Sequence, residues 1–272
     1  LFRSRSDVTI GGNVFGGGNL AAVAHHSSVI INQNGATIAG DVYGGGAKAD
    51  VNTLNTTDTT GVTLTQGIIT GDVFGGGLGD LVSLGGDHSD IAALVNGPVT
   101  VKVNGGRAKN VYGCNNLNGA PQSTVKVNIE GGTVDTVFGG GKLASTPNDV
   151  RPEVNINGGT VNHEVYGGGA LADVGGTTVN IMGGEVKGDI YGGGLGRKDV
   201  EAYNDPETGD PIVVAVQGIP AAVNGVVHVN IGKLKTVTPE EYDGNATIGG
   251  SVYGCNNLNG SPKDNVFVDV YR

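Results

Sequence analysis

The sequence has no tryptophan, a single methionine and only two cysteines, and charged residues make up 15% of its 272 residues. Two cysteines leave the redox compartment open. No run approaches the roughly 18 apolar residues of a membrane-spanning helix, so we expect no membrane insertion of this segment. The net charge of −10 disfavours nucleic acid as a partner, because binding to phosphates requires Lys and Arg.

Glycine, in contrast, is present in excess. The chain contains 52 Gly residues, whereas about 7% of residues is typical of proteins. The glycines lack a Gly-X-Y period, which excludes collagen, and a hydrophobic content of 38% argues against a disordered chain. Their arrangement follows an internal repeat instead.

The repeat is a phrase of an aliphatic residue, an aromatic residue and Gly, as in VFGGG and VYGGG. The shortest spacings between successive aromatic positions, 25 to 28 residues, define the basic unit, and longer spacings indicate insertions. Because Phe and Tyr interchange freely, we expect the para position to reach solvent or a polar partner. The aromatic positions are Phe15, Tyr43, Phe74, Tyr112, Phe138, Tyr166, Tyr191 and Tyr253.

Short alternating segments such as VKVNIEGG and EVNINGG lie between the phrases. β-branched residues at a period of two, ended by Gly-Gly, predict a strand followed by a turn. One such unit cannot bury its own apolar side, whereas stacked units can. We therefore predict an all-β fold, a right-handed parallel β-helix of about eight turns with loop insertions, in one domain over residues 1–272.

In each alternating segment two residues are predicted to point inward and the residue between them to point outward. The inward pairs are Val29/Ile31, Val62/Leu64, Val101/Val103, Val127/Ile129, Val154/Ile156, Val179/Ile181, Val229/Ile231 and Val266/Val268. The outward residues, which we interpret as a solvated face, are Ile30, Thr63, Lys102, Asn128, Asn155, Asn180, Asn230 and Phe267.

The single units are themselves grouped into a longer repeat of four units. The phrase VYGCNNLNG occurs in the fourth and eighth copies and contains both cysteines, Cys114 and Cys255. VFGGGNL pairs with VFGGGKL in the same way, which predicts a duplicated four-turn block over about residues 1–123 and 124–264. Four turns of about 4.8 Å separate the cysteines by about 19 Å, too far for a disulfide, so we expect two free thiols.

The glycines of the phrase carry a prediction of their own. The first Gly after the aromatic residue is the same in all copies, which indicates either a positive φ or a backbone packed too closely for a Cβ atom. The third position is Gly or Asn, a pair typical of left-handed residues. Asn115 and Asn256 occupy it in the fourth and eighth copies.

Four carboxylates share the position just before the aliphatic residue of the phrase, namely Asp41, Asp72, Glu164 and Asp189. Enzymes that cleave polysaccharides collect carboxylates on one face, so this row is a candidate catalytic site. Asn, Thr or Ser fills the same position in the other copies, and we favour a solvated rim. We expect no cofactor, with Ca²⁺ between Asp41 and Asp72 as an open alternative.

Two long insertions, residues 80–97 and 197–225, follow the GGGLG shared by the third and seventh copies. Insertions at equivalent points of a solenoid emerge from one edge, which is often the binding face. We predict that the second insertion is a β-hairpin with its turn at NDPETGDP. The open alternative is that both insertions only cover the sheet edge. The candidate ligand-binding residues are Asp87, His88, Asp90, Tyr203, Asp205 and Glu207.

The [VI]-[FY]-G-G-G and V-N-I-x-G-G phrases resemble repeat segments of bacterial surface proteins, the adhesin-like or autotransporter-passenger-like β-helices of gut Bacteroidetes type. The resemblance implies a secreted or cell-surface, non-catalytic β-helix that binds a glycan or a component of a host or neighbouring cell surface. The alternative is a carbohydrate-active β-helix enzyme, a polysaccharide lyase or a glycoside hydrolase. That reading requires two carboxylates and a basic residue in one outer groove.

Overall fold

The computed structural model describes residues 8–85, 89–208, 211–237 and 240–271. Within these ranges the chain is all-β, as predicted, and its one helical element is a short 3₁₀ turn, Val82–Leu84. No helix of the described part is long and apolar enough to cross a membrane.

Most strands belong to one 20-stranded sheet with parallel pairings, and they form three ladders. The long ladder consists of Ser28–Ile38, Thr60–Ile69, Val99–Val103, Val125–Ile129, Pro152–Ile156, Thr177–Ile181, Val227–Ile231 and Val266–Val270. The aromatic ladder consists of Val14–Phe15, Val42–Tyr43, Val73–Phe74, Arg107–Tyr112, Thr133–Phe138, Val165–Tyr166, Ile190–Tyr191 and Val252–Tyr253. The short ladder adds Thr9–Ile10, Thr160–Val161, Glu185–Val186 and Thr247–Ile248.

Two antiparallel hairpins lie outside this sheet. The first pairs Tyr203–Asn204 with Pro211–Val213, within the second predicted insertion. The second pairs Lys233–Val237 with Glu240–Asp243 and interrupts the path from the long ladder to the short ladder. The prediction of a hairpin in the second insertion is therefore confirmed.

The long ladder places equivalent residues of successive repeats beside each other. Val154 pairs with Val127 on one side and with Val179 on the other. This parallel, in-register stacking is solenoid-like, and it sums many small apolar contacts into one core. The inward pairs from Val62/Leu64 to Val179/Ile181 are buried, as predicted.

The last predicted inward pair is an exception. Val266 and Val268 are 40% and 43% exposed, because strand Val266–Val270 has a partner strand on one side only within the described residues. The alternation in the sequence reports the inward direction of a side chain. Burial additionally requires a neighbour above and below.

The aromatic residues of the phrase form one continuous column. Successive rings lie 4.7 to 5.1 Å apart between centroids and are tilted by 3° to 11°, so each ring stacks on the next. This distance equals the spacing between neighbouring strands, about 4.8 Å. One aromatic residue per repeat is therefore enough to form a continuous column of stacked rings. The inner rings are buried, for example Phe74 at 0% exposure.

Close packing, and not a positive φ, explains the invariant glycine. A Cβ atom on Gly139 would lie 2.2 Å from the carbonyl oxygen of Gly167 in the next repeat, while the φ of Gly139 is not positive. The prediction of a left-handed third position is wrong, since neither Asn115 nor Asn256 has a positive φ. Their side chains have a different use, at the base of the two insertions.

Candidate functional site

The two insertions leave the sheet in the same way, along what we call the loop edge. Each follows a glycine with a φ of +70°, Gly79 or Gly196. The next residue then pairs antiparallel with the returning chain, Asp80 with Ile91 and Arg197 with Ile219. The equivalence predicted from the shared GGGLG therefore holds at the base of both loops.

The repeated VYGCNNLNG phrase fastens the first loop. Asn118 donates a side-chain hydrogen bond to the carbonyl oxygen of Asp80 at 3.2 Å, where the loop leaves. Asn115 donates to the carbonyl oxygen of Ala93 at 2.6 Å, where the loop returns. A buried amide is a strong anchor here, because an unpaired loop carbonyl would cost about 1–3 kcal/mol.

The second copy of the phrase fastens the second loop with the same groups. Asn259 donates to the carbonyl oxygen of Arg197 at 2.9 Å. Asn256 donates to the carbonyl oxygen of Ala221. The asparagines of the fourth and eighth copies thus hold the insertions of the third and seventh copies, one repeat away.

Beyond these bases the two loops differ. In the first, Lys48 and Asp80 form an ion pair at 2.5 Å, and Asp90 accepts the backbone N–H of Val82 at 2.8 Å. Asp90 therefore supports the 3₁₀ turn. Two further predicted site residues, Asp87 and His88, lie outside the described residues.

The second loop is a longer and more apolar arm. Val200 pairs with Val216, and the hairpin continues to Tyr203, which is 56% exposed. Asp205 accepts the backbone N–H of Glu207 at 2.8 Å and so closes the turn. Of the residues predicted here, Asp205 shapes the hairpin, whereas Tyr203 and Glu207 are exposed and free to contact a ligand.

The carboxylates of Asp41 and Asp72 already face donors at all four oxygens. Asp41 accepts the backbone N–H of Asp72 at 2.8 Å and the Tyr43 hydroxyl at 3.1 Å. Asp72 accepts the Asn110 amide at 2.9 Å and the Lys142 ammonium at 2.9 Å. A Ca²⁺ ion would have to displace Lys142. No group of three or more His, Cys, Asp or Glu residues in the described part could hold a metal.

The direction of the Tyr43 pKa shift agrees with its hydrogen bond to Asp41. Burial, followed by the charges of Asp41 and Asp72, raises the pKa of Tyr43, although a hydrogen bond from Asn116 opposes the shift. The hydroxyl therefore keeps its proton and donates to Asp41. Asp189 repeats the arrangement, since it accepts the Tyr191 hydroxyl at 3.0 Å and the Ser251 N–H at 2.7 Å.

A second surface lies on the outer face of the long ladder. Four outward asparagines form what we call the asparagine column: Asn128, Asn155, Asn180 and Asn230. The last three line a groove of about 520 Å³ together with Met182, Gly232, Lys233 and Tyr271. From the alternating pattern alone, these asparagines are expected only on a solvated face. The recurrence of V-N-I in four successive strands was the available signal.

No family model, curated protein or solved structure matches this chain in comparisons with known proteins. The resemblance to bacterial surface proteins therefore remains a prediction. The features that bear on function are the geometry of the loop edge and that of the asparagine groove.

Proposed function

We propose that this chain is a non-catalytic, adhesin-like binding segment of an exported bacterial surface protein. It presents loops to a glycan or to a component of a host or neighbouring cell surface, and so acts outside the cell or on its surface. In this proposal residues 1–272 are a single right-handed solenoid of about eight turns, which repeats a four-turn block over about residues 1–123 and 124–264.

The observation that carries the proposal is the equivalent anchoring of two dissimilar loops. Asn118 and Asn259 hold the carbonyls of Asp80 and Arg197 at the same point of the loop edge. The loops differ in sequence, and their described parts differ in conformation, one containing a 3₁₀ turn and the other a pair of antiparallel strands. A fixed frame with variable loops is the arrangement expected of a display surface, because the frame keeps its fold while the loops diverge.

The enzyme alternative finds weaker support. Asp41, Asp72 and Lys142 do bring two carboxylates and a basic residue together. However, the Asp72 side chain is only 7% exposed, and the partners described above occupy both of its oxygens. A general acid or base must reach the proton that it transfers, and here the nearest donors belong to the frame itself.

The test is to shorten both loops. Residues 78–97 and 195–225 are each replaced by the ALADVGG connection of the sixth copy, residues 170–176. Thermal unfolding should remain cooperative, because the ladders are untouched. Binding to intact host or bacterial cells should fall about tenfold or more, because both linked contacts are lost.

Point variants refine this test. Tyr203→Ala removes the exposed ring of the hairpin, and Leu54→Ala, at a residue 79% exposed outside both loops, is its matched control. We expect a loss of binding for Tyr203→Ala only. A protein that lacks both loops, unfolds cooperatively and still binds with full affinity would contradict the proposal that the loops bind.

A further inference from the structure

The asparagine column is a hydrogen-bonded row of amides. The side-chain nitrogen of Asn155 donates to the oxygen of Asn128 at 2.9 Å, that of Asn180 to Asn155 at 2.8 Å, and that of Asn230 to Asn180 at 2.8 Å. Each bond fixes the orientation of the next amide. The unused N–H groups and oxygen lone pairs of the column therefore point in one direction and repeat at about the 4.8 Å strand spacing.

The hydrogen-bonding groups that the column leaves unused can be counted. An amide side chain has two N–H donors and an oxygen with two lone pairs. The second N–H of Asn155 is used, since Asn155 also donates to Glu153 at 3.0 Å. Asn180 and Asn230 each use one N–H within the column, which leaves one donor each at the groove, together with lone pairs on the oxygens.

The groove beside the column combines these amides with apolar and aromatic groups. Met182 and Tyr271 line it, and Lys233 lies at the start of the hairpin that interrupts the repeat. On the neighbouring outward positions, His228 stacks on Phe267 with ring centroids 5.0 Å apart, and Phe267 is 45% exposed. One pair of stacked rings thus lies beside the last asparagine of the column.

The groove is specific to the second half of the chain. At the corresponding place in the first half, strand Val99–Val103 continues to Arg107 through a short Gly-Gly turn, without a hairpin. The outward residues there are Thr63 and Lys102, which form no amide row. The second half therefore carries both a hairpin and an amide row that the first half lacks at the corresponding strands.

We propose that the asparagine groove binds a segment of a neutral polysaccharide. Oriented amides match repeated hydroxyl groups, which both donate and accept hydrogen bonds, and Tyr271 and Met182 suit the apolar face of a sugar ring. The four asparagines carry no charge, and charged residues of both signs lie beside them, such as Lys233 in the groove and Asp269 opposite Asn230. A chain with a net charge of −10 also repels polyanions at long range. This inference rests on the proposed glycan-binding function but assigns it to a second surface.

The experiment measures binding of cellohexaose, xylohexaose and mannohexaose, with polygalacturonate as the anionic comparison, by titration calorimetry. Asn180→Ala and Tyr271→Ala remove a donor and a ring from the groove. Each should lower affinity about five- to tenfold, the effect of losing one hydrogen bond or one packing contact. Thr63→Ala is the matched control, because Thr63 is an outward residue of the long ladder in the first half of the chain and does not line the groove.

The outcomes separate this proposal from the function of the loops. Neutral hexasaccharide binding that falls in the two groove variants, but persists in Thr63→Ala and after loop shortening, supports it. Binding that is lost on loop shortening and unchanged in the groove variants overturns it and leaves the loop proposal standing. Preference for polygalacturonate, or no binding of any neutral hexasaccharide at millimolar concentration, also overturns it. Should Asn180→Ala fail to fold, Tyr271→Ala decides, since Tyr271 lies beyond the last strand.

Discussion

The amide of Asn116 donates a hydrogen bond of 2.7 Å to the hydroxyl of Tyr43, although 73 residues separate them in the chain. Asn257 makes the same bond to Tyr166 at 2.8 Å. The middle asparagine of VYGCNNLNG thus reaches the aromatic column two copies away. The phrase recurs because it fastens both a loop and a tyrosine, in each half of the chain.

Replacement of Asn116 by Ala should destabilise the protein by about 1–3 kcal/mol, the cost of leaving a buried partner unpaired. Tyr43 is 1% exposed, so water cannot replace the lost donor. Urea unfolding gives the change in the free energy of unfolding. In a Tyr43→Phe background the same Asn116→Ala change should cost less, because no hydroxyl remains to be satisfied. Equal costs in the two backgrounds would show that the bond contributes nothing.

Replacement of Gly139 by Ala should destabilise the protein more than replacement of Gly140. A Cβ at Gly139 would lie 2.2 Å from a backbone oxygen, whereas at Gly140 its nearest atoms lie 2.7 Å away. Gly11→Ala is the control, since no atom lies within 4 Å of its Cβ position. Melting temperatures should fall in the order Gly11→Ala, Gly140→Ala, Gly139→Ala. Identical values for the last two would refute the assigned packing.

Several features could be read from the sequence because they depend only on the repeat. The period of two places Val154 and Ile156 inward, and stacking identical units then fixes their neighbours. The exchange of Phe and Tyr indicates a polar partner for the hydroxyl, and Tyr43 indeed contacts Asp41 and Asn116. In a solenoid, equivalent residues of successive repeats are also neighbours in the fold, so a local sequence pattern predicts tertiary contacts.

Other features depend on where distant atoms meet, and the sequence could not supply them. The Gly/Asn alternation at Asn115 suggested a left-handed residue, whereas the side chain is needed to reach the loop carbonyl of Ala93. An outward position such as Asn180 shows only that the side chain points away from the core. Whether it meets solvent or another amide depends on the register of the next strand, and the first residue of the hairpin, Lys233, adds to the groove.

The two thiols should differ sharply in reactivity. Both cysteines are free, as predicted, with Cys114 buried and Cys255 exposed. Burial raises the pKa of the Cys114 thiol, which lowers the fraction of reactive thiolate. A colorimetric disulfide reagent should therefore label one thiol per native chain rapidly and two in urea. Rapid labelling of both thiols in the native protein, or of neither, would contradict this placement.

Stability should decrease as the pH rises above about 10, the ordinary pKa of tyrosine. Burial, opposed by the Asn257 hydrogen bond, raises the pKa of Tyr166 to about 12. A folded pKa above the unfolded value means that the unfolded state loses its proton first, so the stabilisation is complete below pH 10 and is lost between about 10 and 12. Urea unfolding at several pH values measures the decrease. Tyr166→Phe should make it shallower, and an unchanged slope would assign the effect to other groups.

Calcium should leave the melting temperature unchanged. The four carboxylate oxygens of Asp41 and Asp72 accept two side-chain hydrogen bonds, a backbone N–H and the ammonium of Lys142. Lys142 is 42% exposed, so this pair contributes at most about 1 kcal/mol and weakens with salt. Lys142→Asn, which restores the residue of the first copy at Asn19, should therefore lower stability only slightly. Melting temperatures of the unchanged protein and of Lys142→Asn, each measured with millimolar CaCl₂ and with chelator, test both expectations. A rise in melting temperature with calcium that Asp72→Asn abolishes would instead establish the Asp41–Asp72 calcium site, with Lys142 displaced.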